Sequence, residues 1–143
     1  TVLKSSTEFD FLTIQNQPDL IAILNKLELI TPNYNEILQL DSNEKSVEMI
    51  TEKLSKYCSL LLKGGHNPNE IGTDFLYTQQ HFFRLSPNTT QVNEKHGSGC
   101  VLSAAITANL ALGQELSLAC KNGKNYIGKF LLSTTSQLGN HYE

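Results

Sequence analysis

Clustered positive charge is absent from this sequence. The chain has 11 lysine and arginine residues against 14 aspartate and glutamate residues, for a formal net charge of −3, and no basic run exceeds two residues. A nucleic-acid surface needs grouped lysine and arginine side chains that neutralise phosphates. We therefore expect no nucleic acid as a partner.

Long apolar runs are also missing. No stretch approaches the roughly 20 residues that a membrane-spanning helix needs, and no signal-peptide pattern is present. Cysteine is scarce: Cys58, Cys100 and Cys120 are widely spaced, without a Cys-x-x-Cys or Cys/His ligand pattern. This spacing argues against a zinc site and a disulfide framework. We expect a cytoplasmic protein with no membrane partner.

What the sequence does contain is an alternation of short apolar runs and helical patterns. With 143 residues, it can form one domain or part of one. Leu29–Ile30 and Cys58–Leu62 are typical of buried strands, and a helical spacing of apolar residues follows Gln17-Pro18-Asp19. The alternation predicts an α/β fold with a mostly parallel central sheet and helices on both faces. Thr1–Leu3 resembles the end of a strand, so we expect the sequence to begin inside a domain.

Further elements are predicted along the chain. They comprise a helix opened by Asn33–Glu36, a helix capped by Asp41–Asn43 that ends near Lys56, a hairpin around Gln79-Gln80, and a last helix from Leu116 to about Leu138.

The stretch Glu94–Gly113, EKHGSGCVLSAAITANLALG, is the most distinctive. A polar Gly-Ser-Gly loop runs into a helix that is apolar on nearly all sides, which predicts a helix buried in a domain. Its unpaired N–H groups and dipole would favour an anion, usually phosphate, and would favour a thiolate at Cys100 in the first turn. The alternative is a turn before a core helix, with Cys100 as a small buried hydrophobe.

Polar residues also follow the predicted strands. Asn33 and Glu36 share one side of a helix start, where they could hold water around nucleotide-bound Mg²⁺ or form a capping box. Lys63, beside two glycines, could reach a phosphate or be a solvated lysine. His66 and His96 are more typical of loop residues, and Cys58 and Cys120 of core positions.

Ligands of parallel α/β sheets bind beyond the carboxyl ends of the strands. Thr31–Glu36 and Lys63–His66 each follow a predicted strand, and Gly97–Cys100 begins the apolar helix. We therefore expect these three segments to line one crevice.

Three segments together resemble a known family. They are ITPNYNEI at 30–37, LLLKGGH at 60–66 and HGSGCVLSAAITANLALG at 96–113. In order and approximate spacing they resemble the C-terminal half of hydroxymethylpyrimidine/phosphomethylpyrimidine kinase, a thiamin-biosynthesis enzyme of the ribokinase-like superfamily. The resemblance implies a ribokinase-like fold, with residues 1–143 as the C-terminal, nucleotide-binding half of a kinase domain.

The resemblance also implies a reaction. Phosphoryl groups would pass from ATP, with Mg²⁺, to 4-amino-5-hydroxymethyl-2-methylpyrimidine and then to its monophosphate. The implied site residues are Cys100 as general base, Gly97, Ser98 and Gly99 as the anion hole, Asn33 and Glu36 as organisers of Mg²⁺, Lys63 near the nucleotide phosphates, and Lys124 near the nucleotide base.

Two departures from the family bear on these expectations. The family's N-terminal half, which supplies most of the pyrimidine pocket, is not in the sequence, and Ser98 replaces the commoner threonine. We expect the chain alone to phosphorylate the pyrimidine poorly or not at all. A homodimer is implied because the superfamily often dimerises. The alternatives are a pyridoxal kinase or another ribokinase-like small-molecule kinase, and a non-catalytic nucleotide-binding fragment.

Overall fold

The computed structural model describes residues 17–41, 43–44, 46–67, 69–88, 93 and 95–141. The strand end expected at Thr1–Leu3 lies outside these residues. The chain forms two compact units, Thr1–Arg84 and Leu85–Glu143, and each is considered by itself. Within the described ranges, no helix is both long and apolar enough to cross a membrane.

The first unit is built on a four-stranded sheet with the order β1-β2-β3-β4. The strands are β1 (Leu29–Ile30), β2 (Ser59–Leu62), β3 (Asp74–Tyr77) and β4 (Phe82–Leu85). β1 and β2 run parallel, with Ile30 opposite Leu60, whereas β2 and β3 run antiparallel. The parallel pair is as predicted, and the hairpin makes the described sheet mixed rather than mostly parallel.

The described residues of this unit also form three α-helices, α1 (Gln17–Leu24), α2 (Tyr34–Gln39) and α3 (Val47–Leu54), and a short 3-10 helix at Gly64–His66. Leu20 and Leu24, four residues apart and therefore on one side of α1, are both buried. One apolar cluster joins the helices to the sheet. Its buried members are Leu20, Leu24, Ile30, Ile37, Leu40, Ile50, Leu54, Cys58, Leu60 and Leu62.

The start of α3 differs from the prediction. Ser46 is the N-cap, and its hydroxyl oxygen accepts a hydrogen bond from the backbone N–H of Met49 at 3.3 Å. Asp41 closes a local turn instead of capping α3: its Oδ1 accepts the Asn43 N–H at 3.1 Å, and its Oδ2 accepts a hydrogen bond from Lys53 Nζ at 2.6 Å. The carboxylate is only 1% exposed. A buried carboxylate needs such partners, which hold Asp41 before the start of α3.

The hairpin lies where the sequence predicts it. The backbone N–H of Thr78 donates to the carbonyl of His81 at 2.9 Å. The Thr78 hydroxyl oxygen accepts from the N–H groups of Gln80 and His81, which fixes the turn around Gln79-Gln80.

The second unit contains α4 (Ser98–Ala111) and α5 (Leu116–Leu132), which pack against each other. Gly123 allows their close approach, because a Cβ there would lie 2.6 Å from Ile106 Cγ1. Burial of α4 on all sides was the wrong expectation: in this part of the chain only Leu102 and Ile106 of the helix are buried, and Leu112 just after it is 79% exposed. α5 covers one side of α4, so the apolar residues on the other sides remain accessible.

Candidate functional site

The start of α2 is closed by its own side chains. Asn33 Oδ1 accepts hydrogen bonds from the N–H groups of Asn35 at 2.9 Å and Glu36 at 2.8 Å. Glu36 Oε2 in turn accepts from the Asn33 N–H at 2.7 Å, which completes a capping box. The box orients the Glu36 carboxylate.

Lys63 lies beside this helix start. The backbone of Lys63 donates to the carbonyl of Pro32 at 2.8 Å and forms a parallel bridge with Asn33. The Lys63 ammonium is 3.4 Å from Glu36 Oε2, and both side chains are about one-fifth exposed. Two of the three segments predicted to lie together are therefore adjacent, as expected when parallel strands end at the same edge of a sheet.

A buried carboxylate, absent from the sequence predictions, holds the loop that follows Lys63. Asp74 Oδ1 accepts the N–H of Gly64 at 2.9 Å, and the Gly64 carbonyl accepts the N–H of Gly72 at 2.8 Å. A Cβ at Gly64 would lie 1.7 Å from the Thr73 carbonyl oxygen, so only glycine fits. The available signal was an aspartate at an inward-facing position of the alternating strand DFLY.

The start of α4 is open. Gly97 adopts the left-handed conformation, with φ 74° and ψ 6°, and no side chain of the described residues caps the helix. The first intrahelical hydrogen bond runs from the N–H of Val101 to the Gly97 carbonyl at 3.0 Å. Within the described residues, the N–H groups of Ser98, Gly99 and Cys100 have no recorded acceptor. Such a helix start presents three donors and a positive dipole end to an anion.

The three cysteines have different surroundings. Cys100 is exposed in the first turn of α4, which contradicts the alternative that it is a small buried hydrophobe. Cys58 and Cys120 are buried, as predicted. Burial raises the pKa of the Cys58 thiol to about 11, and the nearby Glu28 carboxylate adds to the rise. Cys58 therefore stays protonated and unreactive at neutral pH, whereas Cys100 is accessible.

Two further candidates are in the second unit. Lys124 is half-buried on α5, and His96 is exposed, with its backbone N–H bonded to the Gln137 carbonyl at 3.1 Å. The side chain of His66 lies outside what the structure describes.

The side-chain oxygens at the start of α2 suit a magnesium ion that takes most of its ligands from other groups. In the described part of the chain, no cluster of three or more His, Cys, Asp or Glu side chains could hold a metal. Glu36 Oε2 is engaged by Asn33 and Lys63, and the other carboxylate oxygen, Oε1, has no recorded partner among the described residues. Mg²⁺ at phosphate sites commonly takes one or two carboxylates and keeps several waters. Asn33 Oδ1 accepts hydrogen bonds from two N–H groups, an arrangement suited to orienting Glu36.

Comparisons with known proteins agree on one family. The family model described as phosphomethylpyrimidine kinase matches residues 1–143. A hydroxymethylpyrimidine/phosphomethylpyrimidine kinase of Staphylococcus aureus strain Mu50 is 34% identical over 115 residues, which are 73% of this chain and 41% of that relative.

Two solved structures extend the likeness to the fold. A phosphomethylpyrimidine kinase from Clostridium difficile has a TM-score of 0.64 and 28% identity, over 90% of this chain and 54% of that one. A pyridoxal kinase from Staphylococcus aureus, in complex with AMP-PCP, has a TM-score of 0.68 and 27% identity, over 80% of this chain and 45% of that one. The ribokinase-like α/β class is thus confirmed, and the chain spans about half the length of the relatives it matches.

Proposed function

This chain belongs to the phosphomethylpyrimidine kinase family, and on that premise we propose that it contributes to ATP-dependent phosphorylation of 4-amino-5-hydroxymethyl-2-methylpyrimidine and of its monophosphate in thiamin diphosphate biosynthesis. The chain covers 41% of the Staphylococcus aureus relative, and from the motifs at 30–37, 60–66 and 96–113 we assign it the C-terminal, nucleotide-binding half of a kinase domain. We assign the protein to the cytoplasm, where thiols such as Cys100 stay reduced.

The observation that carries this proposal is the open start of α4 with an exposed thiol in its first turn. Phosphoryl transfer needs little covalent chemistry from the protein and depends on positioning and on donors for the charge of the transferred group. The N–H groups of Ser98, Gly99 and Cys100, with Gly97 giving the turn, supply those donors without reorganisation.

Cys100 is the general base of the proposed reaction. Its thiolate accepts the proton of the substrate hydroxyl while that oxygen bonds to the terminal phosphorus of ATP. The bond between this phosphorus and the bridging oxygen breaks, and ADP leaves with the electron pair. General-base catalysis of this kind contributes roughly 10²–10⁴-fold to a rate.

In the first unit, Glu36 and Lys63 have complementary proposed roles. Bound Mg²⁺ would neutralise phosphate charge. Glu36 offers Oε1, which has no partner among the described residues, to water around that ion, and Asn33 keeps the carboxylate oriented through the capping box. Lys63, half-buried beside Glu36, contributes a positive charge for the nucleotide phosphates. The AMP-PCP complex of the pyridoxal kinase supports ATP as donor. Lys124 is assigned to the nucleotide base.

A substrate panel tests the proposal. The complete gene product is incubated with ATP, Mg²⁺ and each of the pyrimidine alcohol, its monophosphate and pyridoxal, and ADP release and phosphorylated product are measured. We expect both pyrimidines to be phosphorylated, with kcat/KM above that for pyridoxal. Calorimetric ATP binding with no turnover on any substrate would instead indicate a non-catalytic nucleotide-binding module.

Pyridoxal kinase is the second candidate. The structural likeness to the Staphylococcus aureus pyridoxal kinase, at a TM-score of 0.68, favours it. A kcat/KM for pyridoxal above that for both pyrimidines would establish this alternative. A homodimer is a further expectation, and light scattering of the purified protein measures it.

A further inference from the structure

A buried ammonium group lies immediately before the open start of α4. Lys95 is only 7% exposed, although lysine is rarely buried. Its stem is also enclosed, because a Cβ at Gly139 would lie 2.8 Å from Lys95 Cδ. Lys95 is two residues before Gly97, and the proposed mechanism does not use it.

The ammonium is fully hydrogen-bonded by neutral oxygens. Nζ donates to the Thr134 carbonyl at 2.7 Å, to Thr134 Oγ1 at 2.9 Å and to the Ser136 carbonyl at 2.7 Å. An ammonium has three hydrogens, and three acceptors take them. In the described ranges no carboxylate pairs with Lys95, and its ammonium is hydrogen-bonded there by neutral oxygens only. Carbonyl and hydroxyl oxygens arranged in this way can also replace the hydration shell of a small monovalent cation.

The same loop holds the neighbours of Lys95. Asn93 Nδ2 donates to the Thr134 carbonyl at 2.9 Å, and the His96 N–H donates to the Gln137 carbonyl at 3.1 Å. Residues 93, 95 and 96 are therefore attached to the segment that follows α5, and the next residue is Gly97, whose backbone angles set the direction of the open N–H groups. Without the Lys95 ammonium, the carbonyls of Thr134 and Ser136 would lose their shared donor.

We propose that Lys95 is a positioning residue whose ammonium serves as a built-in monovalent cation, joining the loop after α5 to the segment that aims the N–H groups of Ser98–Cys100. This role rests on the proposed function, because the aimed groups are those assigned to the transferred phosphoryl group. A small misplacement of such groups can cost on the order of 10²-fold in rate.

Lys95→Met in the complete gene product tests the positioning role. The substitution keeps an apolar stem of similar length and removes the charge and its three hydrogen bonds. We expect kcat to fall roughly 10–100-fold with KM for the pyrimidine changed less than about threefold, because the loss affects the transition state. Lys121→Met, at an exposed lysine of α5, is the matched control and is expected to leave both constants unchanged. Equal behaviour of the two variants would overturn the proposal.

Rescue by added cations separates a positioning role from a general structural one. Lys95→Ala empties the oxygen cage, which consists of the Thr134 carbonyl, Thr134 Oγ1 and the Ser136 carbonyl. Potassium or ammonium ions are then expected to raise the kcat of this variant at least about fivefold. The reference is the same variant in tetramethylammonium at the same ionic strength. The unmodified protein, with its cage filled by Lys95, is expected to be indifferent to the choice of cation. A variant that potassium and ammonium do not restore, or an unmodified protein that needs them, contradicts the proposal.

Thermal unfolding gives a readout that does not depend on kinase activity. The Tm of Lys95→Ala is expected to rise in potassium or ammonium relative to tetramethylammonium, with no such rise for the unmodified protein or Lys121→Met. If no substrate is phosphorylated but this cation-dependent rise in Tm is found, the role of Lys95 as a built-in cation is supported and the proposed kinase reaction is contradicted. If the protein phosphorylates a pyrimidine but the rise in Tm is absent, only the role of Lys95 as a built-in cation is contradicted.

Discussion

Two helix starts in this chain are built in opposite ways. At α2, Asn33 and Glu36 form a capping box that satisfies N–H groups of the helix start, and Glu36 uses only its Oε2 atom for it. At α4, a left-handed glycine takes the cap position, and in the part of the chain that the structure describes no side chain accepts from the N–H groups of the first turn.

The difference shows how the same backbone geometry serves ligands of opposite charge. A helix start attracts anions, and an internal carboxylate uses up that attraction and presents negative charge instead. α2 is therefore suited to a cation and its waters, whereas α4 is suited to a phosphoryl group. Variants at Cys100, Gly97 and Asn33 each change one of these starts, and each has a matched control variant elsewhere in the chain.

The largest effect is expected from removing the thiol of the open start. Cys100→Ala should lower kcat for pyrimidine phosphorylation roughly 10²–10⁴-fold, because the general base is lost while the N–H groups remain. Calorimetry should show unchanged ATP binding. Thr107→Ala, an exposed position on α4, is the control and should retain full activity. Unchanged kcat in Cys100→Ala would remove the base from the mechanism.

The next effect comes from the glycine that opens α4. Gly97 (φ 74°) and Gly113 (φ 79°) flank the same helix, and a Cβ at either would meet open space. Alanine at either position should therefore cost a similar free energy of unfolding, about 1–2 kcal/mol, from backbone strain alone. Only Gly97→Ala should also lower kcat, by roughly tenfold or more, because it turns the donors away. Steady-state kinetics and urea unfolding of both variants measure these effects. Equal losses of kcat in the two variants would contradict a specific role of the N–H groups at the start of α4.

A smaller effect should follow from neutralising the closed start. Glu36→Gln keeps an oxygen acceptor for the Asn33 N–H and removes the charge, so stability should change little while the Mg²⁺ concentration for half-maximal activity rises several-fold. Titration of activity with Mg²⁺ measures this.

Two cap variants separate the effect of helix capping on stability from an effect on the Mg²⁺ requirement. Asn33→Ala and Ser46→Ala should each cost about 1 kcal/mol in urea unfolding, because each removes an N-cap. Only Asn33→Ala should also raise the Mg²⁺ requirement, since Ser46 caps α3. A Ser46→Ala variant with the same Mg²⁺ shift would show that lost stability, not the carboxylate, explains the Glu36 result.

The smallest effect concerns Asp41, just after α2. The hydrogen bond from Lys53 holds the pKa of Asp41 below its usual value. Its stabilising contribution is therefore present above the unfolded pKa of about 3.9 and is lost as pH falls through the lower folded value. Because Lys53 is 45% exposed, the contribution should be about 1 kcal/mol or less. Asp41→Asn should be less stable than the unmodified protein near pH 6 and no less stable near pH 2, by urea unfolding. A difference that persists at the lower pH would exclude the ion pair as its cause.

The features that the sequence predicts well are local ones. The starts of α2 and α4, the strands at Leu29–Ile30 and Ser59–Leu62, and the Gln79-Gln80 turn all depend on residues close together in the chain. Features that depend on distant partners were predicted less well. Asp41 resembles a helix cap until Lys53, twelve residues on, is found beside it. Asp74 and Lys95 are buried through partners distant in the chain, and the sequence predictions assign a role to neither residue.

Gly123 shows the same limit. From propensity alone, a glycine inside α5 weakens the helix. In the structure it is the point of closest approach to Ile106, which no local pattern reveals. The degree of exposure of α4 was missed for a related reason: an apolar composition indicates what a helix can bury, and the neighbouring elements decide how much of it is buried.

The most direct test of the open helix start is alkylation of the cysteines by iodoacetamide, followed by mass spectrometry. In the free protein Cys100 should react, and the buried Cys58 and Cys120 should not, so the chain carries its own controls. With Mg²⁺ and AMP-PCP at concentrations that calorimetry shows to be saturating, reaction of Cys100 should slow at least about tenfold, because the terminal phosphate covers the first turn of α4. An unchanged alkylation rate in the saturated protein would mean that no phosphate binds at this helix start.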